Sequence, residues 1–213
     1  MSNIVERILS ENNEFEGAKH LVEIEGLSDP KVCNFLNRLV AAMPADQKYL
    51  EIGTFKGLTL CSAAYGNKGK HCIACDKFRF WNKYTGWGFA ARAAFYRNVE
   101  RYKENSATVE FHDMKSLTMF RKGLVRGPIG VYFYDGDHSY AATRDNILAA
   151  APLLANPAIL LVDDWRDPII QKSTRDAIQQ AGLRIDWERW LGQGTTSGRN
   201  FWNGLGVFIL SKP

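Results

Sequence analysis

The sequence predicts an α/β protein with a doubly wound, mostly parallel sheet of seven strands and helices on both faces. Two observations support this prediction. Short apolar runs alternate with segments of helical periodicity through most of the 213 residues, which is typical of right-handed crossovers in a parallel sheet. The C-terminal end lacks a crossover helix, which predicts that the sheet finishes in an antiparallel hairpin.

Five strands and five helices alternate in the central part of the chain. The strand predictions depend on short apolar runs, and the helix predictions depend on apolar residues that recur every three or four positions. The predicted strands are 48–53, 70–75, 107–112, 129–135 and 158–163. The predicted helices are 57–66, 87–103, 115–122, 140–155 and 168–181.

Residues 1–45 are predicted to form a helical extension before a domain of residues 46–213. Asp29 followed by Pro30 is typical of a helix start, because proline fits the first helical position. Apolar residues then recur at helical spacing up to Val40. Two roles are open for this extension: it covers the binding pocket, or it mediates formation of a homodimer.

The C-terminal segment is predicted to form two further strands, at 183–191 and 206–210. The residues between them, 192–203, are too few and too rich in glycine for a crossover helix. Two adjacent strands joined without such a helix run antiparallel. A dinucleotide-binding domain would normally continue with parallel strands, so this ending argues against one.

Composition and charge exclude several classes of function. With 46% hydrophobic and 23% charged residues, the chain resembles an ordinary soluble globular protein. The net charge of +4 is scattered along the chain, so no nucleic-acid partner is expected, and no segment is long and apolar enough to span a membrane. Cys72 and Cys75 lie in one predicted strand and point to opposite faces. We expect reduced, buried cysteines and a cytoplasmic protein.

Residues 48–57 predict where a ligand binds. They contain a buried strand, then Gly53, a short turn and Gly57, and a helix follows. Such a unit binds nucleotides where the turn and the helix N-terminus offer free backbone N–H groups. Phe55 occupies the position where the dinucleotide motif needs a second glycine for the pyrophosphate. This residue argues against NAD or FAD.

The pattern Glu51-x-Gly53-x-x-x-Gly57 resembles the first motif of the class I S-adenosylmethionine-dependent methyltransferases, whose fold is Rossmann-like with an antiparallel C-terminal hairpin. The resemblance extends from about Lys48 to Leu210. It implies that S-adenosylmethionine binds at the carboxyl ends of the strands. The candidate cofactor-binding residues are Glu51, Gly53, Thr54, Gly57, Asp76, Asp113, Met114 and Asp135.

Three of these residues have a specific expected contact. Asp76 ends the second strand, 23 residues after Gly53, close to the ~20 expected for an acid that binds ribose hydroxyls. Asp113 ends the third strand, where the family places a group that contacts the adenine amino nitrogen, and Met114 packs on the ring. Each acid also has a structural interpretation, as a solvated loop carboxylate for Asp76 and a helix N-cap for Asp113.

Acidic residues crowd the ends of the fourth and fifth predicted strands. The fourth strand ends in Asp135-Gly-Asp137-His138, and the fifth ends in Asp163-Asp164. Two bare charges about 4 Å apart repel by about 4 kcal/mol at an effective dielectric constant near 20. The cluster therefore needs a cation, raised pKa values or side chains that point apart. For one or two of these acids, helix capping is the simpler explanation.

The segments D-G-D-H-S-Y and V-D-D-W resemble the macrocin- and cephalosporin-tailoring branch of small-molecule O-methyltransferases. The resemblance implies that Asp135, Asp163 and Asp164 bind Mg²⁺, which holds the acceptor hydroxyl. Relatives use as base an Asp two residues after the first ligand or a Lys three residues after it, and here those positions hold Asp137 and His138. Both are candidate catalytic residues. Histidine, with an ordinary pKa of ~6.5, suits proton transfer near neutrality.

The predicted function is methyl transfer from S-adenosylmethionine to a hydroxyl of a small-molecule acceptor in secondary metabolism, assisted by Mg²⁺. Two alternatives stay open at this point. A dinucleotide-dependent oxidoreductase is opposed by Phe55 and by the C-terminal hairpin. A non-catalytic cofactor-binding module is opposed by the retention of the acidic strand ends together with His138.

Overall fold

Seven strands in the described part of the chain form one sheet. The computed structural model describes residues 1–11, 23–78, 87–193, 201 and 203–213. The strands are β1 (Lys48–Ile52), β2 (His71–Asp76), β3 (Thr108–Asp113), β4 (Ile129–Tyr134), β5 (Leu154–Val162), β6 (Arg184–Leu191) and β7 (Leu205–Ser211). The helices are α1 (Ser2–Glu11), α2 (Pro30–Ala42), α3 (Leu58–Ala64), α4 (Trp87–Tyr102), α5 (Ser116–Arg121), α6 (Tyr140–Ala150) and α7 (Pro168–Gln180).

The strand order is β3-β2-β1-β4-β5-β7-β6. Strands β1 to β5 run parallel, and β7 pairs antiparallel with both β5 and β6. The order reverses between β1 and β4, and ligands of open α/β sheets bind outside the carboxyl ends of the strands at such a point. The predicted fold class, including its antiparallel ending, is confirmed.

The register of the central strands aligns their carboxyl ends. Ile52 at the end of β1 pairs with Cys75 of β2 on one side and with Tyr134 of β4 on the other. Tyr134 in turn pairs with Val162 of β5. The residues that follow each of these strands therefore emerge at one edge of the sheet.

Two hydrophobic cores cover the two faces of the sheet. Helices α1 to α4 pack on one face and α5 to α7 on the other. Alternate strand residues face opposite cores, and thus Tyr49 lies in the first core and Leu50 in the second. Cys72 and Cys75 are likewise divided between the cores, and all four cysteines are buried and free. The expectation of buried cysteines is confirmed, and their reduced state stays a prediction.

Helix α2 begins where the sequence predicts. The Asp29 side chain accepts a hydrogen bond of 2.8 Å from the Lys31 amide, and Pro30 takes the first helical position. The buried face of α2 packs in the same core as the sheet, with Phe35 fully buried. The division of the chain near residue 45 stays a prediction. No helix in the described ranges has the length and apolar character needed to cross a membrane.

One predicted boundary is wrong. The helix predicted over 140–155 ends at Ala150, a 3₁₀ turn follows over Ala151–Leu153, and β5 begins at Leu154. Proline at 152 lacks an N–H and ends the α-helix. Leu154 joins the sheet because it pairs with Ile129 of β4 across a shift in register, a long-range contact that local periodicity does not reveal.

Candidate active site

The turn after β1 is built on Gly53. Its φ is +89°, in the left-handed region that favours glycine. A Cβ atom at this position would lie 1.9 Å from the carbonyl oxygen of Asp135. The Asp135 amide also donates to the Ile52 carbonyl over 2.9 Å. The first glycine of the motif thus brings the β1 turn into direct contact with the end of β4.

Asp76 holds the same turn closed. Its Oδ2 accepts hydrogen bonds of 2.9 Å from the amides of Thr54 and Phe55, and its Oδ1 accepts one of 2.7 Å from the Phe78 amide. The sequence analysis expects free backbone N–H groups in the turn, but these two amides are bound to Asp76 and are not free for a ligand. A carboxylate has about four lone-pair sites, so Oδ1 keeps capacity for a ribose hydroxyl.

Phe55 shows why a pyrophosphate does not fit this turn. The residue has a φ of +48°. Its amide donates a hydrogen bond to Asp76, and its ring packs partly against the first core. Gly57, with a φ of +87°, follows as the N-cap of α3. The turn is therefore a compact structure with internal hydrogen bonds.

Glu51 lies fully buried in β1 beneath the turn. Its Oε2 accepts a hydrogen bond of 2.5 Å from the Tyr49 hydroxyl, and its Oε1 accepts one of 2.8 Å from the Thr59 hydroxyl. Burial raises the pKa of Glu51 to about 8, against the lowering effect of these two hydrogen bonds. The side chain joins β1 to α3, and its role in cofactor binding stays a prediction.

The end of β3 carries a charged pair. Asp113 Oδ2 lies 2.6 Å from Arg92 Nη2 of α4, so the carboxylate expected to contact adenine has a protein partner. A cavity of about 260 Å³ opens beside this pair. Its lining residues are Lys77, Phe78, Gly88, Phe89, Arg92 and Asp113. Met114 packs partly against the second core.

Two carboxylates from the ends of β4 and β5 lie beside the imidazole of His138. His138 Nδ1 lies 3.1 Å from Asp164 Oδ2, and His138 Nε2 lies 3.7 Å from Asp135 Oδ1. The second distance is too long for a hydrogen bond, and His138 Nε2 is buried without a hydrogen-bond partner among the described residues. The neighbouring Asp135 raises the pKa of His138, and Asp164 adds to this effect.

Asp163 completes this acidic cluster. Burial raises its pKa well above the ordinary value, and the charges of Asp135 and Asp164 raise it further. Burial also raises the pKa of Asp135. The crowding expected from the sequence is therefore accompanied by raised pKa values at Asp135 and Asp163.

Asp137 has a different environment. It is exposed, and its Oδ1 accepts a hydrogen bond of 3.0 Å from the Ser139 amide just before α6. This bond lowers the pKa of Asp137. Its carbonyl accepts a bond of 2.7 Å from the Tyr134 hydroxyl. Within the described residues, Asp137 thus supports the local turn.

The carboxylate oxygens of this cluster suit a hard cation, but the described side chains are not arranged as a metal site. Asp135, Asp163 and Asp164 offer the carboxylate oxygens that Mg²⁺ prefers, and a bound cation would offset the repulsion between them. Among the residues that the structure describes, no group of three or more potential ligands is arranged to hold a metal ion.

Asn203 is a site residue that sequence reasoning missed. It lies two residues before β7 begins at Leu205, and its Nδ2 donates a hydrogen bond of 2.8 Å to Asp164 Oδ1. The signal that could have revealed it is the hairpin register, because Val162 pairs with Gly206. Continuing that antiparallel pairing beyond the strand ends brings Asn203 opposite Trp165, next to Asp164.

A comparison with protein families agrees with the fold described above. The family model described as "Methyltransferase domain" matches residues 50–165. The chain belongs to this family. It is a class I, S-adenosylmethionine-dependent methyltransferase, and the oxidoreductase alternative loses its support. No curated protein matches the sequence.

Solved structures of other methyltransferases share the fold. An O-methyltransferase from Bacillus cereus in complex with SAH has a TM-score of 0.60 at 16% identity, over 99% of this chain and 91% of that one. A putative caffeoyl-CoA O-methyltransferase from Staphylococcus aureus has a TM-score of 0.59 at 16% identity, over 98% and 97%. TrmN from Thermus thermophilus has a TM-score of 0.62 at 16% identity, over 92% of this chain but only 53% of its own length.

Proposed function

We propose that this methyltransferase transfers a methyl group to a hydroxyl of a small-molecule acceptor and belongs to the macrocin- and cephalosporin-tailoring branch. One observation carries the proposal. The group formed by Asp135, His138, Asp163 and Asp164 lies at the ends of β4 and β5, and Asp135 contacts Gly53 of the cofactor turn. Proton-accepting groups therefore stand beside the expected methyl donor.

His138 is the proposed general base. A hydroxyl is a weak nucleophile until it loses its proton, and a base with a pKa near the working pH transfers that proton most effectively. Nδ1 faces Asp164, so in the neutral ring Nδ1 carries the hydrogen and Nε2 presents its lone pair. Asp137 is less suited, because its hydrogen bond to Ser139 stabilises the charged, weakly basic form.

Mg²⁺ is the proposed metal, with Asp135, Asp163 and Asp164 as its ligands. When bound, Mg²⁺ would acidify and orient the acceptor hydroxyl. Asp164 is the least free of the three, since its oxygens face Asn203 and His138. The chain itself supplies the base, His138, and the carboxylate that orients it, Asp164. Both side chains are half-buried, which limits the access of water.

A small acceptor is favoured over RNA because many arginine side chains are already paired with carboxylates of the protein. Nucleic-acid binding depends on cations that are available to phosphates. Many arginines of the described chain instead lie within 3 Å of a carboxylate of the protein. These are Arg38, Arg92, Arg101, Arg144, Arg175, Arg184 and Arg189.

The proposal is tested in two stages with the full chain. Calorimetry should detect binding of S-adenosylmethionine to the wild-type protein. A panel of catechols, sugars and macrolide alcohols, with an unmodified tRNA as a separate arm, is then screened for formation of S-adenosylhomocysteine. Turnover with hydroxyl compounds supports the proposal, whereas turnover with tRNA alone contradicts it.

The base assignment has a matched pair of variants. His138→Gln should lower kcat by about 10²-fold or more, as expected for loss of a general base. Asp137→Asn keeps the side-chain acceptor for the Ser139 amide and should change kcat by less than about threefold. The reverse order of effects would assign the base to Asp137.

The metal assignment is tested by equilibrium binding. Mg²⁺ should bind the wild-type protein in calorimetry, and Asp163→Asn should weaken that binding by more than about tenfold, since a charged ligand is lost. Equal affinity in the two proteins, or full turnover in excess chelator, would leave the three aspartates without a metal role.

A further inference from the structure

Asn203 is joined to the candidate base through Asp164. The Asn203 amide donates to Asp164 Oδ1 over 2.8 Å, and the other carboxylate oxygen of Asp164 faces His138 Nδ1 at 3.1 Å. The three side chains come from the β7 end, the β5 end and the β4–α6 loop. They form a continuous chain of polar contacts that ends at His138 Nε2, which has no hydrogen-bond partner among the residues that the structure describes.

The backbone around this chain of contacts adopts an uncommon conformation at both donor and acceptor. Asp164 has a φ of +52° and Asn203 a φ of +65°, in the left-handed region that costs residues other than glycine about 1 kcal/mol or more each. Such conformations persist where the surrounding structure fixes them, and they cluster at functional sites.

Backbone hydrogen bonds fix the two segments against each other. The Arg166 amide donates to the Asn203 carbonyl over 2.8 Å, and the Trp165 amide donates to the Gly204 carbonyl over 3.1 Å. The side-chain bond from Asn203 to Asp164 is therefore held from both sides. It is not a contact between two freely moving loops.

We propose that Asn203 is a positioning residue for the base: it holds Asp164 so that its Oδ2 faces His138 Nδ1 and keeps the Nδ1–H tautomer. An Asp carboxylate can turn about its terminal torsion and present either oxygen. With Oδ1 occupied by Asn203, Oδ2 remains for the imidazole. The tautomer of a histidine is set by the partner of its other nitrogen, so Nε2 stays free to take a proton.

This inference deepens the proposed function and rests on it for its catalytic meaning. The link from Asn203 to the His138 tautomer can be tested without knowing the acceptor or the metal. We therefore choose a readout on the imidazole itself.

The experiment uses Asn203→Gly, which keeps a residue suited to the left-handed backbone and removes the amide. Nitrogen-15 spectra of the histidine rings are recorded in chelator, at a pH where the ring is neutral, and His138 is assigned by comparison with His138→Gln. The wild-type spectrum should show one Nδ1–H tautomer at His138. The Asn203→Gly spectrum should show a mixture shifted toward the Nε2–H tautomer.

Two further variants separate positioning from general loss of stability. Asn203→Asp keeps size and backbone preference but replaces the donor with a carboxylate that repels Asp164, and it should shift the tautomer at least as far. Gln171→Met removes a 2.7 Å hydrogen bond from Gln171 to the Trp165 carbonyl of the same turn, without touching Asp164. It should lower the melting temperature yet keep the wild-type tautomer.

The outcomes distinguish the inference from the proposed function. A wild-type tautomer in both Asn203 variants, or an equal shift in Gln171→Met, overturns the positioning role. S-adenosylmethionine binding is measured by calorimetry on the same proteins and should change by less than about threefold. Failure of the wild-type protein to bind it would overturn the proposed function while the tautomer result stands.

Discussion

The turn after β1 and the acidic ends of β4 and β5 lie in contact but differ in how their polar groups are satisfied. In the turn, Asp76 accepts three backbone hydrogen bonds and Glu51 accepts two hydroxyl bonds. At the acidic ends, burial and neighbouring charges raise the pKa of Asp163, and His138 Nε2 has no hydrogen-bond partner in the described chain. The two carboxylates of the turn are thus hydrogen-bonded within the protein, whereas His138 Nε2 is not.

This difference separates two tasks of the same crevice. A preorganised turn binds a cofactor with little cost of ordering. A group of half-buried acids and an imidazole stores unfavourable electrostatics that a substrate hydroxyl or a cation can relieve.

The largest effect is expected where the two regions touch. Gly53→Ala should destabilise the fold by about 4 kcal/mol or more, since the added Cβ would lie 1.9 Å from the Asp135 carbonyl oxygen. Urea unfolding measures this change. Gly66→Ala is the control, because Gly66 also has a positive φ, +75°, but nothing lies within 4 Å of its added Cβ. It should lose only about 1 kcal/mol.

Equal losses in the two glycine variants would mean that backbone conformation alone explains the need for Gly53. The contact between the β1 turn and the end of β4 would then carry little energy, and the two regions would be independent.

Asp76→Asn should have the next largest effect. Asparagine has one acceptor oxygen, so either the Thr54 and Phe55 amides or the Phe78 amide would lose their partner. Loss of a hydrogen bond to a charged group costs about 2 kcal/mol, and we expect S-adenosylmethionine affinity to fall about tenfold as the turn loosens. Calorimetry and unfolding are compared with the exposed variant Asp46→Asn. Unchanged affinity would remove Asp76 from the cofactor site.

Glu51 gives the turn a characteristic pH dependence. Folding raises its pKa from 4.5 to about 8, so between these values the folded chain holds a proton that the unfolded chain has lost. Stability therefore falls as pH rises through this interval, by up to about 1.4 kcal/mol per pH unit. Glu51→Gln cannot ionise and should flatten this part of the curve.

Melting temperatures at pH 5, 7 and 9 test the Glu51 prediction. The wild-type protein and Glu51→Gln should differ little at pH 5, and the variant should be the more stable protein at pH 9. Parallel curves would show that Glu51 ionises with an ordinary pKa.

The smallest effect is expected at the mouth of the cofactor crevice. Arg92→Gln removes an exposed ion pair with Asp113, which contributes about 1 kcal/mol or less. Because Asp113 is then free for the adenine amino group, S-adenosylmethionine affinity should rise by up to about threefold in calorimetry. Arg101 lies on α4 like Arg92. Arg101→Gln breaks its 2.6 Å pair with Glu23 and should leave affinity unchanged. A tenfold loss in Arg92→Gln would make Arg92 a cofactor ligand.

The sequence predicts which residues lie at the carboxyl edge of the sheet better than it predicts the contacts that these residues make. Alternating strands and helices determine that the carboxyl ends of parallel strands share one edge, and this is why Asp135, Asp163 and Asp164 could be expected together. The orientation of each carboxylate depends on which N–H groups lie within reach. The capture of the turn amides by Asp76 was therefore not predictable from spacing.

Contacts across long sequence distances explain the remaining misses. Asn203 reaches Asp164 over 39 positions, and this contact depends on the register of β5 with β7. Arg92 reaches Asp113 because α4 packs beside β3, which periodicity alone does not specify. The early start of β5 at Leu154 has the same origin, since it is set by pairing with β4.

The most direct test is a crystal structure of the full chain with S-adenosylhomocysteine and Mg²⁺. The account predicts the ribose at Asp76, the sulfur above the Gly53 turn, and His138 Nε2 facing the space beside it, with the cation on the aspartates that follow β4 and β5. A nucleoside bound elsewhere on the sheet, or a sulfur facing away from His138, would contradict the shared crevice and the chemistry assigned to it.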